Sequence, residues 1–194
     1  MNDIFILIGD SLTFGYGVSK ENSFCYNLDH ALKIPVINKG INGDTTASML
    51  NRIYEDVFIY KPQYIFIMGG TNDLLCGRKI KTIIDNLEEM IVESLEITKN
   101  IIIGIPPCII KSLAYKLFSP CDLYDYADIN LIKLQKSLID LCNKYNIKYI
   151  DLYSITKEYI KNNKIFIDGI HLNSYGNKII FEEIMKLLPS IIVK

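Results

Sequence analysis

The apolar run at residues 4–8 constrains this chain most, because it stops at Gly9 and is followed at once by Asp10 and Ser11. A short continuous apolar run that ends at a glycine is typical of a strand buried on both faces. Such strands form parallel sheets with helices on each side, and ligands bind beyond the carboxyl ends of the strands. Ser11 lies at that position, and we therefore treat it as a candidate nucleophile.

Four further strands are predicted along the rest of the chain, and they alternate with helical patterns. The strands cover residues 35–38, 64–68, 101–105 and 148–152, and helices are predicted at 23–32, 79–99 and 126–144. Another helix begins at Thr45 or Thr46, with an apolar face of Ala47, Leu50, Ile53, Tyr54 and Val57, and a last helix is capped by Asn173 or Ser174. This alternation predicts an α/β fold with a parallel sheet, in one doubly wound domain covering residues 1–194.

Composition and charge narrow the class of protein. The 194 residues carry a net charge of −1 without a basic patch, so a nucleic-acid partner has no electrostatic support. The five cysteines are odd in number and form no Cys-x-x-Cys pair, so we expect neither a zinc site nor a disulfide framework. No apolar run approaches the ~20 residues of a membrane span, and residues 1–3 lack a positive signal-peptide start. We expect a cytoplasmic protein of open oligomeric state.

Only two histidines could serve as a base for Ser11, because the chain contains only His30 and His171. A serine is a poor nucleophile unless a neighbouring base takes its proton. His30 lies among polar residues of the first predicted helix, and we interpret it as an ordinary helix-face histidine. His171 follows Asp168 with two residues between them, a spacing at which a carboxylate can bond one imidazole nitrogen. Ser11, His171 and Asp168 are therefore the candidate catalytic residues.

Acyl transfer also requires hydrogen-bond donors for the oxyanion, and two more strand-end loops offer them. Gly43 lies in the loop after the second strand, and Asn72 in the loop after the third. Taken singly, Gly43 is typical of a turn glycine and Asn72 of a turn or capping residue. With the N–H of Ser11 they would form three donors on one edge of the sheet. For Asp10 and Asp73 we favour supporting roles, in which they bond loop amides, over metal binding.

Four ordered blocks of the chain resemble the SGNH hydrolases, also called GDSL esterases and lipases. The blocks are Gly9-Asp10-Ser11-Leu12, Asn38-x-Gly40-x-x-Gly43-x-Thr45, Gly70-Thr71-Asn72-Asp73 and Asp168-Gly169-Ile170-His171. The resemblance covers nearly the full chain and implies a flavodoxin-like three-layer α/β/α fold with strand order 2-1-3-4-5. It also implies a Ser-His-Asp triad acting on a small acylated ester or thioester, without a metal or organic cofactor.

The substrate and three competing classes stay open. Segment 108–124, predicted to be irregular, follows the fourth strand and is either an acyl-pocket wall or lid or a surface helix that completes the core; Ile109, Ile110, Leu113, Tyr115, Leu117 and Phe118 are its candidates. The resemblance leaves lipase, lysophospholipase, acyl thioesterase, short-chain arylesterase and carbohydrate deacetylase activities open. Outside the family, a nucleotide-binding module would use Gly15 and Gly17, although Lys20 stands where a third phosphate-loop glycine belongs. A metal-dependent phosphate hydrolase with Asp10 as nucleophile and an inactive interaction domain complete the alternatives.

Overall fold

A computed structural model describes residues 2–118, 121–162 and 164–194. Within them a five-stranded parallel sheet has the order β2-β1-β3-β4-β5. The strands are β1 (Asn2–Gly9), β2 (Val36–Gly40), β3 (Pro62–Met68), β4 (Ile101–Ile105) and β5 (Lys148–Asp151). The predicted α/β class, the parallel sheet and the order 2-1-3-4-5 are confirmed.

The sheet register brings the first three strand ends together. Gly9 at the end of β1 pairs with Gly40 of β2 on one side and with Met68 of β3 on the other. The residues that follow these three positions therefore leave the sheet at one edge, side by side. This arrangement lets the loops carrying Ser11, Gly43 and Asn72 meet, although the chain separates them widely.

Nine α-helices occur in the described residues and cover both faces of the sheet. They are α1 (Ser11–Phe14), α2 (Phe24–Ala31), α3 (Thr46–Asp56), α4 (Thr71–Leu75), α5 (Ile80–Leu95), α6 (Lys111–Phe118), α7 (Asp122–Tyr145), α8 (Leu152–Lys157) and α9 (Ser174–Leu187). Helix α5 contacts both α3 and α7 on one face, and α2 contacts α9 on the other. The sheet between these layers is buried, and residues 5–8 of β1 and 65–68 of β3 have no exposed surface.

Polar side chains fix where several helices begin. Thr45 accepts a hydrogen bond from the backbone of Ser48 at the start of α3, and Asn173 accepts from Tyr175 and Gly176 at the start of α9. These contacts satisfy N–H groups that have no partner within the helix. Of the two candidates proposed at each start, the structure selects Thr45 and Asn173.

The segment 108–124 differs from the sequence prediction of irregular backbone. Its central part forms α6, and α7 begins at Asp122. Ile109 and Ile110 are buried in the core, and Leu113 is half-buried against it. Residues 119–120 and the side chains of Leu117 and Phe118 lie outside the described part of the chain. The described side chains favour the helix that completes the core over the pocket wall.

No helix in the described ranges is long and apolar enough to cross a membrane.

Candidate active site

The nucleophile candidate stands at the first position of a short helix. Asp10, just after β1, accepts a hydrogen bond from the backbone N–H of Leu12 at 2.9 Å and so caps α1. Ser11 is the first residue of that helix, where a backbone N–H has no acceptor inside the helix. The sequence pattern does not predict α1, because four residues are too few to show a helical period.

The structure brings together the three residues predicted to form the catalytic group. The Ser11 hydroxyl oxygen lies 2.9 Å from Nε2 of His171, and Nδ1 of the same ring lies 2.6 Å from Oδ2 of Asp168. The first contact joins positions 160 residues apart in the chain. A hydroxyl, an imidazole and a carboxylate in line can pass a proton from the hydroxyl to the ring while the carboxylate holds the ring in place.

The hydrogen bonds around Asp168 set the protonation of this group. Burial disfavours the charged carboxyl, but bonds from the His171 ring and from the backbone N–H groups of His171 and Ile170 outweigh it, and the pKa of Asp168 falls below its usual range. An ionised carboxylate only accepts hydrogen bonds, so Nδ1 carries the ring proton. In a neutral ring with this tautomer, Nε2 has a free lone pair that can accept from the Ser11 hydroxyl.

A tight turn positions Asp168 and His171. Gly169 has a φ of 89°, and a β-carbon there would lie 2.3 Å from the backbone oxygen of Ile110. The Gly169 carbonyl accepts from the Ile110 backbone N–H at 2.7 Å, so the loop after β4 is bonded directly to the turn. Glycine is required at this position because only it combines a left-handed backbone with so close an approach.

The loop after β2 presents Gly43 at a turn. Gly43 has a φ of 80° and is exposed, and the Asp44 N–H donates to the Ile41 carbonyl across the turn at 3.2 Å. The side-chain amide of Asn72, in α4, donates to the Asp44 carbonyl at 2.8 Å. One amide hydrogen of Asn72 is thus engaged, which fixes the plane of the group and leaves the other hydrogen for a ligand.

Asp10 and Asp73, for which supporting roles are predicted, bond loop and helix amides. Asp73 is fully buried and accepts from both the backbone N–H and the hydroxyl of Thr46, each at 2.8 Å. This contact ties α4 to the start of α3. Asp10 is buried as well, and that burial raises its pKa to about 7. A carboxyl enclosed in this way is poorly placed to attack a phosphate, which weakens the alternative with Asp10 as nucleophile.

His30 lies apart from Ser11. Its ring stacks on Tyr26 with the ring centroids 3.9 Å apart, and its Nδ1 lies 3.0 Å from the Tyr26 carbonyl. The interpretation of His30 as an ordinary helix-face histidine therefore agrees with its surroundings.

Two residues beside the site are not singled out by the sequence. The ring of Tyr16 lies against the His171 imidazole with the centroids 4.4 Å apart, and the guanidinium of Arg52 bonds Asp44 and the Gly9 carbonyl. Tyr16 sits between Gly15 and Gly17, which both have positive φ. These two glycines form the turn that brings Tyr16 to His171, so their spacing does not require a phosphate.

The cysteines and the potential metal ligands form no further site in the described residues. All five cysteines are free thiols, and Cys25, Cys108 and Cys142 are buried. Within residues 2–118, 121–162 and 164–194, no group of three or more His, Cys, Asp or Glu side chains is placed to hold a metal ion.

Known proteins resemble this chain along most of its length. A profile of the GDSL-like Lipase/Acylhydrolase family matches residues 7–179. An arylesterase of Vibrio mimicus is 34% identical over 110 residues, which cover 53% of this chain and 55% of that protein. The match thus spans about half the length of this relative.

Solved structures share the whole fold. The lipase/acylhydrolase from Enterococcus faecalis is 27% identical, with a TM-score of 0.75, and the match covers 99% of this chain and 97% of that one. A member of the lipolytic protein G-D-S-L family from Veillonella parvula is 23% identical with a TM-score of 0.80, over 94% of this chain and 96% of that one. With the family profile matching most of the chain, this protein belongs to the GDSL-like lipase/acylhydrolase family.

Proposed function

We propose that this protein is a serine esterase or acylhydrolase that cleaves carboxylic ester or thioester bonds of a small acylated substrate. The observation that carries the proposal is the continuous hydrogen-bonded line from the Ser11 hydroxyl through His171 to Asp168. Family membership supports the same reaction. So does the relative from Vibrio mimicus, which is named an arylesterase.

In the first half-reaction Ser11 attacks the substrate carbonyl. Nε2 of His171 takes the hydroxyl proton as the new C–O bond forms, and Asp168 stabilises the resulting imidazolium. The tetrahedral adduct collapses, the bond to the leaving alcohol or thiol breaks, and His171 gives that group its proton. The acyl group is then bound to Ser11 as an ester.

In the second half-reaction water replaces the leaving group. His171 takes a proton from the water as it attacks the acyl carbonyl, and the proton returns to Ser11 when the carboxylic acid departs. No redox partner is needed, and each proton that His171 accepts is returned.

Three donors are proposed to hold the oxyanion in both steps. They are the backbone N–H groups of Ser11 and Gly43 and the side-chain amide of Asn72. Support comes from the sheet register, which sets the three loops side by side, and from the bond that orients Asn72. In the best-measured case, a single donor aimed at the developing charge lowers the barrier by about 3–4 kcal/mol.

Exposed apolar side chains beside the site favour an apolar acyl or alcohol group. Tyr16, against His171, and Ile167, whose N–H bonds the His171 carbonyl, are both more than 40% exposed. Ile41 is exposed as well, and its N–H bonds the Gly9 carbonyl at the end of β1. Exposed apolar surface in a group is typical of a binding site. A carbohydrate deacetylase of the same family remains the alternative.

Hydrolysis of p-nitrophenyl esters from acetyl to palmitoyl, with and without EDTA, tests the proposal beside the Ser11→Ala variant. We expect turnover that survives EDTA and disappears in the variant, with the melting temperature nearly unchanged. Acetylated xylose oligomers in the same assay test the deacetylase alternative. Activity that is lost in EDTA and kept in Ser11→Ala would refute the serine mechanism and revive the metal-dependent alternative.

A further inference from the structure

We propose that Arg52 is a positioning residue that sets the spacing of the oxyanion donors; the inference rests on the proposed function. Arg52 lies on α3, and its side chain is 16% exposed. The guanidinium contacts Asp44 in the loop after β2, the Gly9 carbonyl at the end of β1 and Asp56 on its own helix. It is not itself aimed at a reacting atom.

The first contact fixes the loop that carries Gly43. Both Nε and Nη2 of Arg52 lie 2.7 Å from Oδ2 of Asp44, whose side chain is 10% exposed. The Asp44 carbonyl in turn accepts from the Asn72 amide at 2.8 Å. Through this one aspartate the guanidinium is linked to two of the three proposed donors.

The second contact fixes the end of β1, which leads into the third donor at Ser11. Nη2 of Arg52 donates to the Gly9 carbonyl at 3.1 Å, and the same oxygen accepts from the Ile41 N–H at 3.0 Å. Gly9 is separated from Ser11 by one residue. Arg52 therefore bonds the segments that carry the Ser11 and Gly43 donors directly and reaches the Asn72 donor through Asp44, so a shift of its guanidinium would change the relative spacing of the three donors.

The charges around Arg52 indicate that it acts on the oxyanion by positioning the donors and not through its own positive charge. Nη1 bonds Asp56 at 2.7 Å, and Asp56 also pairs with Lys39 at 3.0 Å. The positive charge is thus balanced by carboxylates on Asp44 and Asp56. Arginine suits the position because its planar fork can reach several acceptors in fixed directions, which a lysine ammonium cannot do.

The test compares Arg52→Met with Asp56→Asn, a control that removes a partner of Arg52 but leaves its bonds to Asp44 and Gly9. For Arg52→Met we expect kcat to fall about 10- to 100-fold with KM within about 3-fold, because misplaced donors weaken binding of the transition state alone. Arg52→Lys should recover part of the loss. Asp56→Asn should keep kcat within about 2-fold of the wild type, because the donor-linking bonds persist.

Hydrogen exchange gives a readout that needs no turnover. Peptides covering residues 41–46 should exchange faster in Arg52→Met than in the wild type, and should be unchanged in Asp56→Asn. Equal exchange in Arg52→Met and the wild type would overturn the inference. So would a normal kcat in Arg52→Met while Ser11→Ala is inactive, and that result would leave the proposed function standing.

A second variant covers the case in which Arg52→Met does not fold. Asp44→Asn keeps the backbone carbonyl that holds Asn72 but removes the carboxylate that binds Arg52. We expect kcat to fall in this variant, but by less than in Arg52→Met. An unchanged kcat in Asp44→Asn would contradict the inference. If instead Ser11→Ala is as active as the wild type, the proposed function fails, and the exchange data alone decide whether Arg52 holds the loop.

Discussion

Single residues decide whether the line of three side chains can transfer protons. Ser11 gains a base only because residues 168–171 fold into a turn that faces the end of β1. The carboxylate of Asp168 accepts three hydrogen bonds, two of them from backbone N–H groups of its own turn, so one side chain both shapes the turn and orients the ring. Residues 168–171 therefore supply both the base and the turn that positions it.

Replacing Asn72 with alanine tests the oxyanion donors. We expect kcat to fall by ~10²–10³, with a small change in KM, because the donor acts on charge that develops only in the transition state. Steady-state kinetics on the best ester gives both constants, and thermal unfolding checks the fold. A change confined to KM would mean that Asn72 binds substrate and has no part in stabilising the oxyanion.

Replacing Asp10 with asparagine tests the buried carboxyl next to the nucleophile. Burial raises the pKa of Asp10 to about 7, above its value of ~4 in an unfolded chain, so the native state binds the extra proton between these values. The wild type should therefore lose stability as the pH rises from about 4 to 7. The asparagine of the Asp10→Asn variant would cap α1 equally well without that loss.

Urea unfolding of both proteins at pH 5 and pH 8 measures this difference. The free energy of unfolding of Asp10→Asn, relative to the wild type, should rise by about 2–3 kcal/mol between the two pH values. Contributions from other carboxylates, including Asp168, are common to both proteins and cancel. A difference that does not change with pH would show that Asp10 is ionised in the native protein throughout this range.

At the scale of elements, the loops that carry the site converge because the sheet is parallel and its register aligns the strand ends. The turn at residues 168–171 is held from outside the sheet by the segment that leads into α6. This segment therefore influences the site through the backbone of Gly169, although its own side chains Ile109 and Ile110 belong to the core.

Two glycine-to-alanine variants separate crowding from backbone strain. Gly169 and Gly43 both have left-handed φ values, 89° and 80°, which cost an alanine about 1–2 kcal/mol. A β-carbon at Gly169 would also meet the Ile110 oxygen, whereas one at Gly43 would meet nothing within 4 Å. We expect Gly169→Ala to lower the free energy of unfolding more than Gly43→Ala does, and the difference between the two losses should be about 2 kcal/mol or more. Equal losses in chemical denaturation would contradict the described packing of the turn.

One helix face is placed incorrectly by the sequence pattern. The apolar spacing predicts Tyr54 on the buried side of α3, but Tyr54 is 67% exposed, while Met49 is fully buried. The buried stripe runs through residues 46, 49, 53 and 57, which fits a helical period. Tyr54 is adjacent to Ile53 in the sequence, and an apolar count alone cannot tell which neighbour faces the sheet.

At the scale of the whole molecule, the predictable features are those that depend on residues close together in the sequence. Runs such as 101–105 end at prolines or glycines, and the predicted strand matches β4 residue by residue. The candidate site is predictable because each of its residues follows such a strand or precedes a helix. Arg52 and Tyr16 are not, because their importance lies in contacts to residues distant in the chain: Arg52 to Gly9, and Tyr16 to His171.

The central claim is that Ser11 is the nucleophile and His171 its base. Labelling with p-nitrophenyl diethyl phosphate, followed by peptide mass mapping, tests it most directly, since this reagent leaves a stable phosphoryl group on an activated serine. We predict one adduct per chain, on Ser11, with labelling largely lost in His171→Ala. Labelling of a residue other than Ser11 would contradict this assignment. So would a protein that hydrolyses esters but forms no adduct at Ser11 with excess reagent.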